Sequence, residues 1–193
     1  MQEVMAAKAD HRTGIHPQKF ALYLGIVSLI MAFAAFSSAY IVRQAAGNWL
    51  EFRLPVMFYV STGVIVLSSV CLKLSSRAFN LEQARAYRVY MLLTFFLGIT
   101  FLITQYLGWM EMHNNGIDLK GNPSGSFVYI MSMTHAAHVL GGIVVLCFAL
   151  YHAFNLPFNR NPQRRLRLDL TSIYWHFVDI LWIYLILFFI LQR

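Results

Sequence analysis

The sequence has 193 residues, of which 59% are hydrophobic, 16% aromatic and only 12% charged. A soluble globule of this length cannot bury so many apolar side chains, so the composition excludes a water-soluble fold. The net charge of +7 would suit a nucleic-acid-binding protein, but the basic residues lie in short segments beside apolar runs, where no nucleic-acid-binding module has room. We therefore predict an integral membrane protein with no nucleic-acid partner.

Five apolar runs are long enough to cross a hydrocarbon core of about 30 Å. They cover residues 20–42, 54–72, 89–109, 127–149 and 173–191. None has the alternating pattern of a barrel strand, and a helix satisfies every backbone polar group internally in lipid. The sequence predicts an all-α membrane protein, a bundle of five transmembrane helices in one domain that covers residues 1–193. The first run is too long for a signal-peptide core, so we expect it to be retained.

The basic residues are distributed very unevenly between the two sides of these runs. Eleven of the fifteen Lys and Arg residues lie on the side of the N-terminus. They are Lys8, Arg12, Lys19, Lys73, Arg77, Arg85, Arg88, Arg160, Arg164, Arg165 and Arg167. Because short cytoplasmic loops are enriched in Lys and Arg, the pattern predicts a cytoplasmic N-terminus and a periplasmic C-terminus.

Four ionisable residues lie inside the predicted spans. His135 and His138 are three residues apart on one helix face, and His176 and Asp179 have the same spacing in the last run. Each such group costs about 2.5–3.5 kcal/mol at the centre of a membrane, so each needs an internal partner. We predict buried structural hydrogen bonds, between His176 and Asp179 and between the histidine pair and a neighbouring helix.

Histidines in a membrane helix are also candidate haem ligands. His138 and His152 are 14 residues apart, about 21 Å along one helix, which is the kind of spacing found in di-haem membrane cytochromes. Two bis-histidine haems need a matching pair on a second helix, and the last run offers only His176. A single haem between His152 and His176, in an independent membrane haem protein, stays open as an alternative.

No other residues suggest catalysis. The sequence has no nucleophile beside a base, no phosphate-binding glycine loop and no HExxH helix, so we predict no catalytic, cofactor-binding or metal site in this chain. Cys71 and Cys147 lack a metal-binding spacing and are interpreted as small core residues. The adjacent Gly141 and Gly142 predict a close approach of another helix.

Three segments carry a family resemblance. Residues 174–182, with the sequence YWHFVDILW, resemble the signature in the last helix of subunit III of haem-copper cytochrome oxidases. Residues 134–139, with the sequence THAAHV, resemble the HxxHV segment of that family, and Gln105 and Trp109 match its QxxxW positions. The signature residues are Tyr174, Trp175, Trp182, Gln105 and Trp109.

The resemblance implies a short, five-helix bacterial form of subunit III in the inner membrane. In that family the subunit is a helical bundle without haem or copper of its own, held directly against the catalytic subunit I; the haems and copper belong to subunits I and II. The resemblance implies a subunit that supports assembly, binds phospholipids and sustains proton uptake by subunit I. The complex reduces O2 to water with electrons from cytochrome c, or from quinol in related enzymes, and pumps protons.

Two positions depart from the family pattern. Many relatives carry a membrane-embedded Glu in the first of these five helices, and the residue in register here is Leu29. The acid that usually precedes the tryptophan of the third helix is replaced by Gly108. We therefore expect this chain to support proton pumping through packing and lipid rather than through carboxylates at these positions.

Overall fold

The structure is a computed structural model that describes residues 16–155 and 162–192. Of the basic residues used above to predict orientation, Lys8, Arg12 and Arg160 lie outside the described residues. The other eight are described, and the helix directions bring all of them to the end of the bundle at which the first helix begins. The predicted cytoplasmic placement of that end stays a prediction.

The described residues form five long helices and no strand. They are α1 (Pro17–Ala45), α2 (Val56–Asn80), α3 (Ala84–Asn114), α4 (Pro123–Asn155) and α5 (Pro162–Leu191). All five are long and apolar enough to span a membrane, which confirms the predicted all-α bundle of transmembrane helices.

Each of the five helices is longer than its predicted span. The hydropathy pattern marks only the part of a helix that faces hydrocarbon, whereas backbone hydrogen bonding continues through the interfacial region. The helix α5, for example, begins at Pro162, eleven residues before the apolar run at residue 173. Proline opens α1, α4 and α5, where its missing N–H has no helical acceptor to lose.

Four helices close a ring, and the fifth lies outside it. The sequence of neighbours is α2, α3, α4, α5 and back to α2, whereas α1 packs only on α4 and α5 in the described part of the chain. Neighbours within the ring are antiparallel. The helix α1 runs parallel to α5: Lys19 Nζ lies 3.0 Å from Asp169 Oδ2 at one end, and Tyr40 Oη donates to Gln192 O at the other.

The interior of the ring is filled by aromatic side chains, and Trp175 and Trp182 of α5 are the largest that are fully buried. Trp175 fits because Gly98 and Gly142 lie against it: a Cβ at Gly98 would lie 2.8 Å from Trp175 Cη2, and one at Gly142 would lie 3.0 Å from Trp175 Cε3. The close approach predicted at the glycine pair is therefore confirmed at Gly142.

The two cysteines lie in different surroundings. Cys71 is buried, as predicted, but Cys147 is exposed on α4, so its interpretation as a core residue is wrong. The lipid-facing side of a transmembrane helix is as apolar as its core-facing side, so a small apolar residue does not reveal which side it occupies.

Candidate functional site in the helix bundle

Pairs of adjacent hydroxyl residues recur every seven residues along α2. The pairs are Ser61 with Thr62, Ser68 with Ser69, and Ser75 with Ser76. Seven residues are close to two helical turns, so the three pairs lie about 10 Å apart on one side of the helix. The first member of each pair is fully buried in the ring, and the second member is half-buried.

The first members connect α2 to α3 and to the ring interior. Ser61 Oγ accepts a hydrogen bond from Gln105 Nε2 at 2.9 Å, and Ser75 Oγ donates to Tyr87 O at 3.1 Å. Ser68 Oγ accepts from the indole N–H of Trp175 at 3.0 Å. These buried bonds satisfy polar atoms that would otherwise be unpaired in an apolar interior.

The second members connect α2 to α5. Thr62 Oγ1 accepts from the indole N–H of Trp182 at 3.0 Å, Ser69 Oγ lies 2.5 Å from His176 Nδ1, and Ser76 Oγ lies 3.1 Å from Ser172 Oγ. The α2–α5 boundary therefore carries a ladder of three polar contacts. Interhelical hydrogen bonds of this kind contribute on the order of 1 kcal/mol each in a membrane.

His176 does not form its predicted hydrogen bond with Asp179. The imidazole is half-buried and its Nδ1 is bonded to Ser69 of α2. Asp179 is buried, and neither carboxyl oxygen has a hydrogen-bond partner among the described residues, although the Ser69 hydroxyl faces it. The spacing of three residues put both side chains on one helix face, but the hydroxyl of the neighbouring helix is the closer partner.

His135 is held by aromatic packing. Its imidazole is completely buried and stacks on the Trp182 indole, with ring centroids 5.2 Å apart and planes inclined by 29°. Phe101 contacts the imidazole edge-on at 5.8 Å. Neither ring nitrogen has a hydrogen-bond partner in the described part of the chain, so the predicted bond from His135 to a neighbouring helix is absent there.

His138 lies one turn further along α4 and is half-buried. Its Nδ1 donates to the carbonyl of Thr134, four residues earlier, at 2.7 Å. Its own carbonyl accepts the hydroxyl of Tyr174 from α5 at 3.0 Å. His138 thus contributes to the α4–α5 contact through its backbone, while its imidazole is bonded within its own helix.

The other signature residues also bridge helices. The indole N–H of Trp109 in α3 donates to Ser132 Oγ in α4 at 2.9 Å, and Tyr129 of α4 donates to Trp109 O at 3.0 Å. Gln105 donates to Ser61 of α2, as described above. The signature residues are therefore contact residues between neighbouring helices of the ring.

The described histidines do not share a haem site. Along the antiparallel α4–α5 pair, His138 lies level with Tyr174, and His152 lies level with Arg164, whose guanidinium donates to His152 O at 3.0 Å. His176 is then about 18 Å further along the helix axis than His152. One iron cannot reach both, so the single-haem alternative is wrong. The described residues also contain no cluster of three or more metal-ligating side chains.

Leu29 and Gly108, the two residues that depart from the family pattern, lie where an apolar residue fits. Leu29 is half-buried in α1. A Cβ at Gly108 would lie 2.6 Å from Phe58 Cε1, so the ring of Phe58 fills the space that a larger residue would need. An acidic side chain at position 108 is therefore incompatible with the present position of Phe58.

A cavity of about 680 Å³ opens at the end of the bundle where α1 begins. Leu22 of α1 and Val145 and Phe148 of α4 form part of its apolar wall, and Arg164 and Arg167 of α5 lie at its polar rim. An apolar cavity with cationic groups at the membrane interface has the chemistry of a phospholipid site.

The hydroxyl partners on α2 were missed by the sequence analysis, which concentrated on ionisable residues. A signal was present in the sequence, because pairs of adjacent Ser or Thr residues begin at residues 61, 68 and 75, with a period of seven. Such a repeat places one polar stripe along a helix that is otherwise apolar. A stripe of that kind predicts contact with other helices rather than with lipid.

A ring of apolar helices joined by buried polar contacts defines a multi-pass integral membrane protein. The family model described as cytochrome c oxidase subunit III matches residues 9–192. The chain belongs to the cytochrome c oxidase subunit III family.

Three relatives each match more than three quarters of this chain. A protein of Nocardia farcinica named probable cytochrome c oxidase subunit 3 is 30% identical over 166 residues, which is 81% of this chain and 78% of that protein. A cytochrome c oxidase subunit 3 of Thermostichus vulcanus is 26% identical over 188 residues, covering 92% and 90%. A protein of Buchnera aphidicola named cytochrome bo(3) ubiquinol oxidase subunit 3 is 26% identical over 168 residues, covering 85% and 88%.

These findings confirm the resemblance that the signature segments indicated. The chain is subunit III of a haem-copper oxidase, an oxidoreductase complex, and a multi-pass protein of the bacterial inner membrane.

Proposed function

We propose that this chain is a non-catalytic subunit that stabilises the oxidase and sustains its turnover. The proposal rests on the contacts that three histidine side chains make within the bundle. His135 is stacked in the aromatic core, His138 is bonded to its own helix and His176 is bonded to Ser69. Each imidazole has a separate structural role, which supports a chain without a redox centre.

Membership of the family supports two partner subunits. The chain contacts subunit I directly and assembles with subunit II, and these two subunits hold the haem and copper. We propose the four residues His135, His138, His176 and Asp179 as structural contacts that keep the ring in the shape that subunit I requires. Residues 1–193 act as one domain in this assembly.

The electron donor of the complex is cytochrome c. The names of the relatives favour this, since the Thermostichus vulcanus relative is named cytochrome c oxidase subunit 3 and the Nocardia farcinica relative is named probable cytochrome c oxidase subunit 3. The Buchnera aphidicola relative belongs to a ubiquinol oxidase, so quinol is the second candidate donor. Oxygen uptake by the purified complex with reduced cytochrome c, compared with uptake with ubiquinol, decides between them.

Phospholipid occupies the cavity between α1, α4 and α5. The combination of an apolar wall with Arg164 and Arg167 at the rim supports a lipid with an anionic headgroup. Native mass spectrometry of the complex tests this: the wild type retains lipid, and Arg167→Ala reduces the retained fraction. Equal retention by both proteins would contradict this lipid assignment.

The N-terminus lies in the cytoplasm. The eight described basic residues at that end of the bundle support this orientation, because short cytoplasmic loops are enriched in Lys and Arg. A reporter fused after residue 193 that is active only in the periplasm checks it. The fusion is active if the assignment is correct and inactive if it is reversed.

The turnover of the oxidase with and without this chain tests the proposed role. We expect the oxidase purified without the chain to keep its haem absorption and to lose activity progressively during turnover. Adding back the chain restores a constant rate. Identical time courses, or the loss of one haem for each chain removed, would contradict a non-catalytic supporting role.

A further inference from the structure

Five polar side chains form what we call the outer seam, on the outer side of the α2–α5 boundary. They are Ser69, Lys73 and Ser76 of α2, and Ser172 and His176 of α5. Lys73 is exposed and lies about one helical turn after Ser69 in α2, and the other four are half-buried. The outer seam extends from the membrane interface into the hydrocarbon region, where an isolated subunit would present it to lipid.

Two exposed hydroxyl groups in the described helices are bonded within their own helix and need no partner from another helix. Ser28 of α1 donates to the carbonyl of Leu24 at 3.1 Å, and Thr100 of α3 donates to the carbonyl of Phe96 at 2.9 Å. A hydroxyl that is bonded to its own helix in this way is tolerated in hydrocarbon. These residues show how a lipid-facing hydroxyl is accommodated in this protein.

The outer seam is different, because its hydrogen bonds join α2 to α5 and do not close on a single helix. Ser69 is bonded to one nitrogen of His176, and Ser76 is bonded to Ser172. Among the described residues, the second imidazole nitrogen of His176 has no hydrogen bond, and neither Ser69 nor Ser76 donates to its own helix. An unsatisfied polar group is strongly unfavourable in hydrocarbon, so a lipid chain is a poor neighbour for this surface.

The outer seam borders an open groove. In the described part of the chain α1 and α2 make no contact with each other, although both pack on α5. Ile180, four residues after His176 on the same side of α5, is 65% accessible, and Val70, next to Ser69 in α2, is 49% accessible. A groove with an apolar floor and one polar wall fits a helix whose surface is apolar with a few hydrogen-bonding side chains.

We infer that the outer seam is the surface on which a transmembrane helix of subunit I docks. This inference rests on the proposed function, in which subunit I is the direct partner. The docking helix presents a hydroxyl or carboxylate oxygen at the depth of His176, because an oxygen acceptor satisfies the free imidazole nitrogen and complements the charge of Lys73. Its apolar side chains cover Ile180 and Val70.

Photo-crosslinking in the complete complex tests the position of the interface. A benzophenone amino acid replaces Ile180 in the groove or, as the matched control, Ile103, which is 54% accessible on α3 at the opposite side of the ring. We expect the Ile180 variant to form an adduct with subunit I and the Ile103 variant to form none. An adduct between two copies of this chain, an adduct with lipid alone, or an adduct of subunit I with the Ile103 variant would each overturn the inference.

Co-purification separates this inference from the proposed function. If either tagged variant recovers subunit I before irradiation, the chain is an oxidase subunit wherever the adducts form. His176→Phe tests the polar contact itself, with Ser69→Ala as the control, because both variants lose the bond between Ser69 and His176 and only His176→Phe loses the free imidazole nitrogen. Removing the bond to the docking helix should lower the amount of subunit I that is retained by about fivefold in the His176→Phe complex relative to the Ser69→Ala complex. Equal retention in the two variants would count against a docking role for the outer seam.

Discussion

The imidazole of His135 stacks on the indole of Trp182 at the centre of the ring, with the ring centroids 5.2 Å apart. The same indole donates its N–H to Thr62 of α2 at 3.0 Å. One tryptophan thus joins α4, α5 and α2 through a stacking contact and a hydrogen bond. His135 contributes its shape and its aromatic face, because neither ring nitrogen is bonded to a described residue.

This relationship predicts opposite outcomes for two substitutions of His135. His135→Phe keeps an aromatic ring against Trp182 and removes two buried polar atoms, so we expect the melting temperature of the complex to be unchanged or higher. His135→Ala leaves a cavity beside Trp182 and should cost about 3 kcal/mol. Thermal melting of the purified complex in detergent measures both. Loss of activity in a stable His135→Phe complex would show a chemical role for the imidazole.

The hydrogen bond from Trp175 to Ser68 is expected to stabilise the ring. Both residues are buried, so Ser68→Ala leaves the indole N–H without an acceptor, at a cost of about 1–3 kcal/mol. The melting temperature of the complex should fall. Ser28→Ala is the matched control, because Ser28 lies on the exposed face of α1 and bonds only to its own helix. A similar fall in both variants would argue against a specific role for the buried bond.

Gly98 and Gly63 offer a matched pair of glycine-to-alanine substitutions. A Cβ at Gly98 would lie 2.8 Å from Trp175, whereas the structure describes no heavy atom within 4 Å of a Cβ at Gly63. Gly98→Ala forces the indole to move and should cost about 1–3 kcal/mol. Gly63→Ala should leave stability unchanged or raise it, since alanine favours the helix. Equal yields and melting temperatures for the two complexes would contradict the packing described for Trp175.

The ion pair between Lys19 and Asp169 joins the first turn of α1 to the early part of α5. The two side chains are 30% and 43% accessible, so water and salt screen the interaction. We expect Asp169→Asn to lower stability by no more than about 1 kcal/mol, and we expect the difference from the wild type to shrink in high salt. Melting curves at low and high ionic strength measure this. A large loss that is independent of salt would mean that Asp169 has another role.

The sequence predicted the number of helices and the class of protein because both depend on hydrophobic length, which is a local property. It also pointed to the family, because the segment from Tyr174 to Trp182 is a specific string. The partner of His176 could not be predicted in the same way. That contact depends on how α2 and α5 pack, and the hydroxyl pair that contains Ser69 does not show in sequence which neighbouring helix it faces.

The exposed position of Cys147 illustrates a second limit. In a soluble protein an apolar residue in a helix predicts burial, but in a membrane both sides of the helix are apolar. The periodic hydroxyl pairs of α2 are the better guide here, since they mark the side that contacts other helices. The Gly108 and Phe58 contact shows a third limit: the glycine was visible in the sequence, and the ring that fills its space was not.

The composition of the complex that this chain forms in its native membrane tests the central claim most directly. The tagged full-length chain is purified in mild detergent, its partners are identified by mass spectrometry, and haem is measured by absorption. The account predicts recovery of a haem-containing subunit I in equal amount, and no haem absorption from this chain when it is purified alone. Recovery of the chain without an oxidase, or with haem bound to the isolated chain, would contradict the account.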